Sequence, residues 1–319
     1  MTNRAHGGTP QRLEVQNEHL RAVFVPALGG KMISLTHRPT GHELLLQPPE
    51  PERGYRPAQW GAAFEDFDTS GFDECFPTVS ACRYPEAPYP EIPLPDHGEL
   101  WSAPWTWNWK GAAIEMSVRG QALHYTFEKK ARAQGSDLVL EYTLTSTARK
   151  PFKYVWSSHP LLAAEPGAEI LLPAEARELY LNWSRGERLG RPGDTVAWSP
   201  DLARLEGPRA GFADKLFTGR LSEGWCALWK PAAGISLTFR FDPAQVPYVG
   251  LWICQGGWPE RRDAARASEG HFTVALEPCS GRPDALDVAI ARGEARSIEP
   301  GEEQRWTLTL ELRTGRPGA

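Results

Sequence analysis

Three ionisable residues sit where a side chain could act on a substrate rather than on solvent. His97 lies in "LPDHGELW" (94–101), between an aspartate and a glycine. His159 lies in "VWSSHPLL" (155–162), at a strand edge before a proline. Glu277 lies in "HFTVALEPCSGRPDAL" (271–286), two residues before a cysteine and just before Pro278. A carboxylate of reference pKa about 4.3 accepts a proton near neutrality, and an imidazole of reference pKa about 6.5 carries one and gives it up. The types therefore fit acid–base chemistry on one bond. Each also has a plain explanation. Asp-His-Gly after proline is good turn material, and a glutamate at a strand end can be a solvated edge residue. His6, His19, His37, His42 and His124 sit in polar or turn-like surroundings and read as ordinary, and no histidine pair has the helical i,i+4 spacing of a zinc site.

The elements that must position these residues read as strands. In "DLVLEYTLTST" (137–147), "GISLTFRF" (234–241) and "QRWTLTLELR" (304–313), apolar residues alternate with polar ones. That period of two marks half-buried strands. "WTWNWK" (105–110) puts Trp105, Trp107 and Trp109 on one face. Further strands are expected at 12–17, 20–25, 30–37, 112–119, 122–131, 152–158, 225–230 and 247–254. Before Glu277, Phe272, Val274 and Leu276 form one face, and Glu277 follows the small Thr273 and Ala275 on the other. Helical signal is confined to one short turn within 201–217. There is no βαβ alternation, so a doubly wound parallel sheet is not expected. The expected fold is an all-β, large antiparallel β-sandwich forming one domain over 1–319, with frayed termini at about 1–10 and 314–319. The proline-rich 83–96 reads as a long loop shaping a site.

Composition narrows the function classes. The chain of 319 residues carries 35 Lys and Arg against 40 Asp and Glu, a net charge of −5 with no basic block, so a nucleic-acid partner is not expected. The longest apolar run, "YVGLWIC" (248–254), is far below the ~20 residues of a membrane span, and the start has no signal-peptide core. A cytoplasmic protein without membrane contact is expected. Five cysteines without a CxxC argue against a disulfide scaffold or a cysteine zinc site. No G-x-G-x-x-G or P-loop is present, so no cofactor and no metal are expected. The 13 tryptophans offer flat faces that suit the C–H faces of sugars.

Five motifs in order resemble the aldose 1-epimerase (galactose mutarotase-like) family over most of the chain. They are "GGKMISL" (29–35), "DHGELW", "SSHPLL", "ALEPCSGRPDAL" and the closing "IEPGEEQRWTLTLEL" (298–312). The resemblance implies a mutarotase-like sandwich that interconverts the α and β anomers of a free sugar by opening the ring. It implies Glu277 as the base on the anomeric hydroxyl, His159 as the acid on the ring oxygen, and His97 as a hydrogen-bond partner near that oxygen. "GFADKLFTG" (211–219) resembles the segment whose aspartate holds sugar hydroxyls, which points to Asp214. "YVGLWICQGGW" (248–258) resembles the strand that sets an aromatic beside the sugar, which points to Trp252.

One departure bears on the substrate. Where galactose mutarotases carry an Asn-Arg pair, this chain reads "TSGFDECFPTVSAC" (69–82), with Asp73 and Glu74. If these line the pocket they bind hydroxyls and repel a sugar phosphate, which favours a non-phosphorylated sugar. Two other functions fit the same residues. One is a non-catalytic carbohydrate-binding or sensing protein. The other is a glycosidase or lyase using Glu277 with Asp214 or Glu74, since glycoside hydrolysis usually needs two carboxylates. The expected partner is a small sugar, and the expected state is a monomer or homodimer.

Overall fold

The computed structural model describes residues 10–48, 54–258 and 271–318. The alternating segments become strands, and every strand pairing within the sheets is antiparallel. An eight-stranded sheet runs from Glu169–Leu171 through Trp225–Lys230, Ile235–Phe241, Glu303–Thr314, Asp137–Ser146, Tyr125–Gln134 and Ala113–Arg119 to Thr106–Lys110. An eleven-stranded sheet contains, side by side at its centre, Phe72–Cys75, Ser157–Ala163, Phe272–Cys279, Tyr248–Gln255, Phe212–Thr218 and Glu178–Ser184.

One continuous core draws on both sheets. It unites Leu140, Leu308, Phe239 and Trp306 from the first with Phe72, Leu216, Leu251 and Leu276 from the second. Side chains alternate across a strand, so the neighbours of these core residues face the other way. On that outer face a separate small cluster of Phe64, Trp101, Leu161 and Ala275 lies under the loops. The eleven-stranded sheet thus has two covered faces, one packed on its partner sheet and one packed under loops.

Two details differ from expectation. The stretch 201–217 holds one turn at Pro200–Ala203, but its second half is the strand Phe212–Thr218. A helix at Leu286–Ala291 has only six residues, too few for its period to stand out in sequence. Within "WTWNWK", Thr106–Lys110 forms a sheet-edge strand, which leaves Trp109 46% exposed, while Trp105 just before the strand is buried. Within 83–96, Cys82–Arg83 pairs with Pro93–Leu94 as a small ribbon that ends just before Asp96.

Candidate active site

The "DHGELW" turn is held from both ends. Glu99 is buried and accepts from the backbone of Gln121 (3.0 Å) and Ala122 (2.9 Å) and from Tyr125 Oη (2.8 Å). Trp101 donates its indole N–H to Asp96 O at 2.9 Å. Between these anchors His97 adopts a left-handed backbone, φ 57°. This costs a non-glycine residue of order 1–3 kcal/mol and marks a side chain aimed by its surroundings. Gly98 follows at φ 69°, and a Cβ there would fall 2.1 Å from Phe76 O, so only glycine fits.

The turn sends the His97 ring onto Phe64, stacked at 4.1 Å between centroids, and sets it edge-on to His159 at 4.9 Å. His97 Nδ1 lies 3.0 Å from Asp96 Oδ1. Asp96 also accepts from Phe64 N at 2.9 Å. A carboxylate can only accept, so Nδ1 carries the hydrogen and Nε2 is left for a ligand. Burial pushes the Asp96 carboxyl up, but its bonds from His97 and Phe64 outweigh this and hold it below the usual range.

His159 and Glu277 stand on neighbouring strands of the same face, with His159 Nε2 3.8 Å from Glu277 Oε1. Glu277 is 0% exposed. Lys215 donates a hydrogen bond to its Oε2 and lies 3.4 Å from Asp284 Oδ1. Ser157 Oγ approaches the same Oε2 at 3.5 Å. Burial raises the Glu277 pKa, and Lys215 acts against that rise. Burial, with His97 and the two lysines Lys215 and Lys31 nearby, holds His159 well below the ordinary histidine value, so its ring is neutral. Lys215 is held protonated: its pKa is raised by Asp284 and Glu277 against the cost of burial. Glu277 Oε1 and His159 Nδ1 make no hydrogen bond among the described residues. Buried polar atoms normally find partners, so each of these two atoms is available to a polar group of a ligand.

Space above Glu277 is kept by Gly250, its partner across the ladder. A Cβ at Gly250 would meet Glu277 Oε2 and Phe217 Cε1, each at 3.0 Å. Trp252, two residues on, shares this face and is half-buried, stacked on Trp183 with centroids 5.7 Å apart. Asp73 also faces this side, beside His159 in the ladder. Its carboxylate is 3.0 Å from Lys31 Nζ, which is bonded to Asp68 at 2.6 Å. Burial raises the Asp73 pKa to about 6 despite Lys31.

Two expected ligand contacts are corrected. Glu74 follows Asp73 in the strand and so points the other way, into the core between the sheets. There it accepts from Trp156 Nε1 (3.0 Å), Tyr142 Oη (2.9 Å) and Lys129 Nζ (3.2 Å). Asp214 likewise faces away from Glu277. It accepts from Ser184 Oγ at 2.5 Å and pairs with Arg188. Its neighbour Lys215 takes the place on the site face. Sequence reasoning missed Lys215, Phe64, Asp96 and Asp284. A lysine inside the apolar "FADKLFT" was the available signal for the first.

No protein-family model matches this chain, and no curated protein matches it by sequence. Solved structures do match. The Slr1438 protein of Synechocystis sp. PCC 6803 aligns with TM-score 0.72 at 16% identity, over 98% of this chain and 100% of that one. A galactose mutarotase-like protein of Clostridium acetobutylicum aligns with TM-score 0.68 at 12% identity, over 96% of each. A galactose mutarotase-like protein of Lactobacillus casei ATCC 334 aligns with TM-score 0.64 at 14% identity, over 95% and 100%. The chain therefore has the galactose mutarotase-like fold, a large antiparallel β-sandwich.

Proposed function

We propose that this protein is an aldose 1-epimerase-like isomerase acting on a free, non-phosphorylated sugar. The carrying observation is that His97, His159 and Glu277, far apart in sequence, meet over one sheet face, with the two imidazole rings 4.9 Å apart, His159 Nε2 3.8 Å from Glu277 Oε1, and that oxygen without a hydrogen bond among the described residues. Glu277 takes the proton of the anomeric hydroxyl. A histidine protonates the ring oxygen, C1 of the open aldehyde turns, and the reverse transfers close the other anomer.

The electrostatics modify the division of labour implied by family resemblance. A neutral His159 donates a hydrogen bond but has no spare proton, whereas His97 is backed by Asp96. We assign the mobile proton to His97 and the positioning of the ring oxygen to His159. Lys215 opposes the burial that raises the Glu277 pKa. Held protonated itself, it is no nucleophile toward the open-chain aldehyde, which speaks against Schiff-base chemistry.

The charge balance favours a neutral sugar. Lys31 and Lys215 are each already paired with two carboxylates, so neither is free for a phosphate. Hydrolysis is less well supported, because Asp214 and Glu74 face away from Glu277 and Asp284 is separated from it by an ammonium. A binding protein would not need a buried base with its own counter-ion.

Glu277 exposes no surface, so sugar reaches it only when the side chains that cover it move aside. The test is Glu277→Gln, followed by polarimetry or anomer-exchange NMR over a panel of free sugars. A loss of about 10²–10⁴ in rate is expected with the fold retained. Undiminished exchange in this variant removes Glu277 as the base, and no exchange by the parent protein on any sugar favours the binding-protein reading.

A further inference from the structure

A second group of charges lies where the loop after Glu277 meets the turn before Tyr248. A cavity of about 220 Å³ opens there, with Arg220, Arg296, Ser280 and Glu294 among its lining residues. Arg282 and Arg292 join from behind and consume Glu294: Arg282 donates to Oε1 at 2.9 Å and Arg292 to Oε2 at 2.8 Å.

The two arginines on the cavity wall are differently placed. Among the described residues Arg296 donates only to Gln245, at O (2.6 Å) and Oε1 (3.1 Å), though Glu302 is within its electrostatic reach. Arg220 is exposed. Among the described residues it makes no hydrogen bond or ion pair, and its guanidinium rests 5.6 Å from the centroid of Tyr248. Arg282 leans on the same ring at 5.1 Å and on Tyr180 at 5.6 Å, and Arg292 lies over Tyr180 at 4.6 Å. Arg282 also has a buried Nε that donates to nothing among the described residues.

Three guanidinium groups thus rest on two tyrosine rings, with Arg296 as a fourth on the cavity wall and Glu294 as the single lining carboxylate. Like charges so arranged repel one another unless an anion joins them. The rings preset the planes of three guanidinium groups, which lowers the ordering cost of binding. Ser280 adds a hydroxyl: its Oγ already accepts from Trp156 N at 2.8 Å, so its own hydrogen is free to donate.

We propose that this cavity is a second binding site, separate from the site at Glu277, for a small phosphate monoester. A phosphate is favoured over a carboxylate because its three terminal oxygens and charge near −2 match donors converging from several elements. The two sites differ in character. At the first site every lysine is already neutralised, while this cavity keeps cations in excess. One loop joins them: Ser280 lines the cavity, Arg282 binds the cavity's Glu294, and Asp284 reaches Lys215.

The experiment titrates the full chain with glycerol 3-phosphate by calorimetry at low, constant ionic strength, with glycerol as the control. Saturable binding at millimolar or lower concentration is expected. Arg220→Glu and Arg296→Ala should each weaken it at least about tenfold, with unchanged thermal melting and unchanged sugar exchange. Arg220 makes no bond that folding needs, so its variant keeps the test sound if Arg296→Ala fails to fold. Absence of saturable binding overturns the proposal, and so does binding that Arg220→Glu leaves at full strength.

Discussion

Lys215 and Glu277 form a buried ion pair on adjoining sides of the Tyr248–Gln255 strand, and Gly250 between them supplies the room. A buried carboxylate would otherwise take up a proton and lose its use as a base. Lys215 offsets that, and Asp284 in turn steadies the lysine.

Lys215→Met therefore has a signed outcome. Removing the ammonium removes the influence that lowers the Glu277 pKa, so that pKa rises. The base then ionises only at higher pH, and the acid limb of kcat/KM moves upward in pH. The fold also loses stability, by about 3–5 kcal/mol for a broken buried pair. A pH–rate profile combined with urea unfolding checks both. An unmoved acid limb would separate Lys215 from Glu277 ionisation.

The histidines are distinguished by how much rate each supplies. With the proton on His97, His97→Asn lowers kcat by about 10²–10⁴. His159→Asn acts through the position of the ring oxygen and lowers kcat less. A larger loss for His159→Asn than for His97→Asn, measured by anomer-exchange NMR, would return the acid role to His159.

Asp73 ties the site to stability. Its folded pKa, about 6, lies above its ordinary value near 4, so the folded protein binds that proton more tightly than the unfolded chain. Its contribution is fully present below the unfolded pKa and is lost as pH rises to about 6, a loss on the order of 2–3 kcal/mol. Asp73→Asn removes this term while Lys31 keeps Asp68. The stability difference between parent and variant should change between pH 4 and pH 7 in favour of the variant. A difference constant with pH would show that Asp73 does not titrate in this range.

The strands could be read from the sequence because alternation is a direct consequence of a half-buried sheet, as in "DLVLEYTLTST". The positions of His97, His159 and Glu277 could be named only through the order of short motifs. What could not be read was parity. In "GFDEC" the adjacent carboxylates Asp73 and Glu74 lie between apolar residues, and in "FADKLFT" Asp214 and Lys215 do likewise. Local pattern does not reveal which member faces the core when both faces are covered. Trp156, Tyr142 and Lys129 take Glu74 inward, and Ser184 and Arg188 hold Asp214 on the far side. Phe64 was also hidden, because it reaches the site from a loop with no periodic pattern.

Gly250→Ala tests the geometry of the base with little disturbance elsewhere. Gly250 lies inside a regular strand, so its backbone accepts an alanine, unlike that of Gly98. The added methyl would sit 3.0 Å from both Glu277 Oε2 and Phe217 Cε1, closer than ordinary contact. Phe217 is packed against Tyr248 and Cys279, so the carboxylate is the group that yields. It shifts by a few tenths of an ångström and loses alignment with Lys215 and the anomeric oxygen. Misplacement on the scale of 1 Å costs about 10²-fold in rate, so a loss of about tenfold or more in kcat is expected. Stability should fall by the cost of an overpacked site, about 1–3 kcal/mol, with the fold retained. Full activity in a well-folded Gly250→Ala protein would mean that the position of the Glu277 carboxylate is not critical to the reaction.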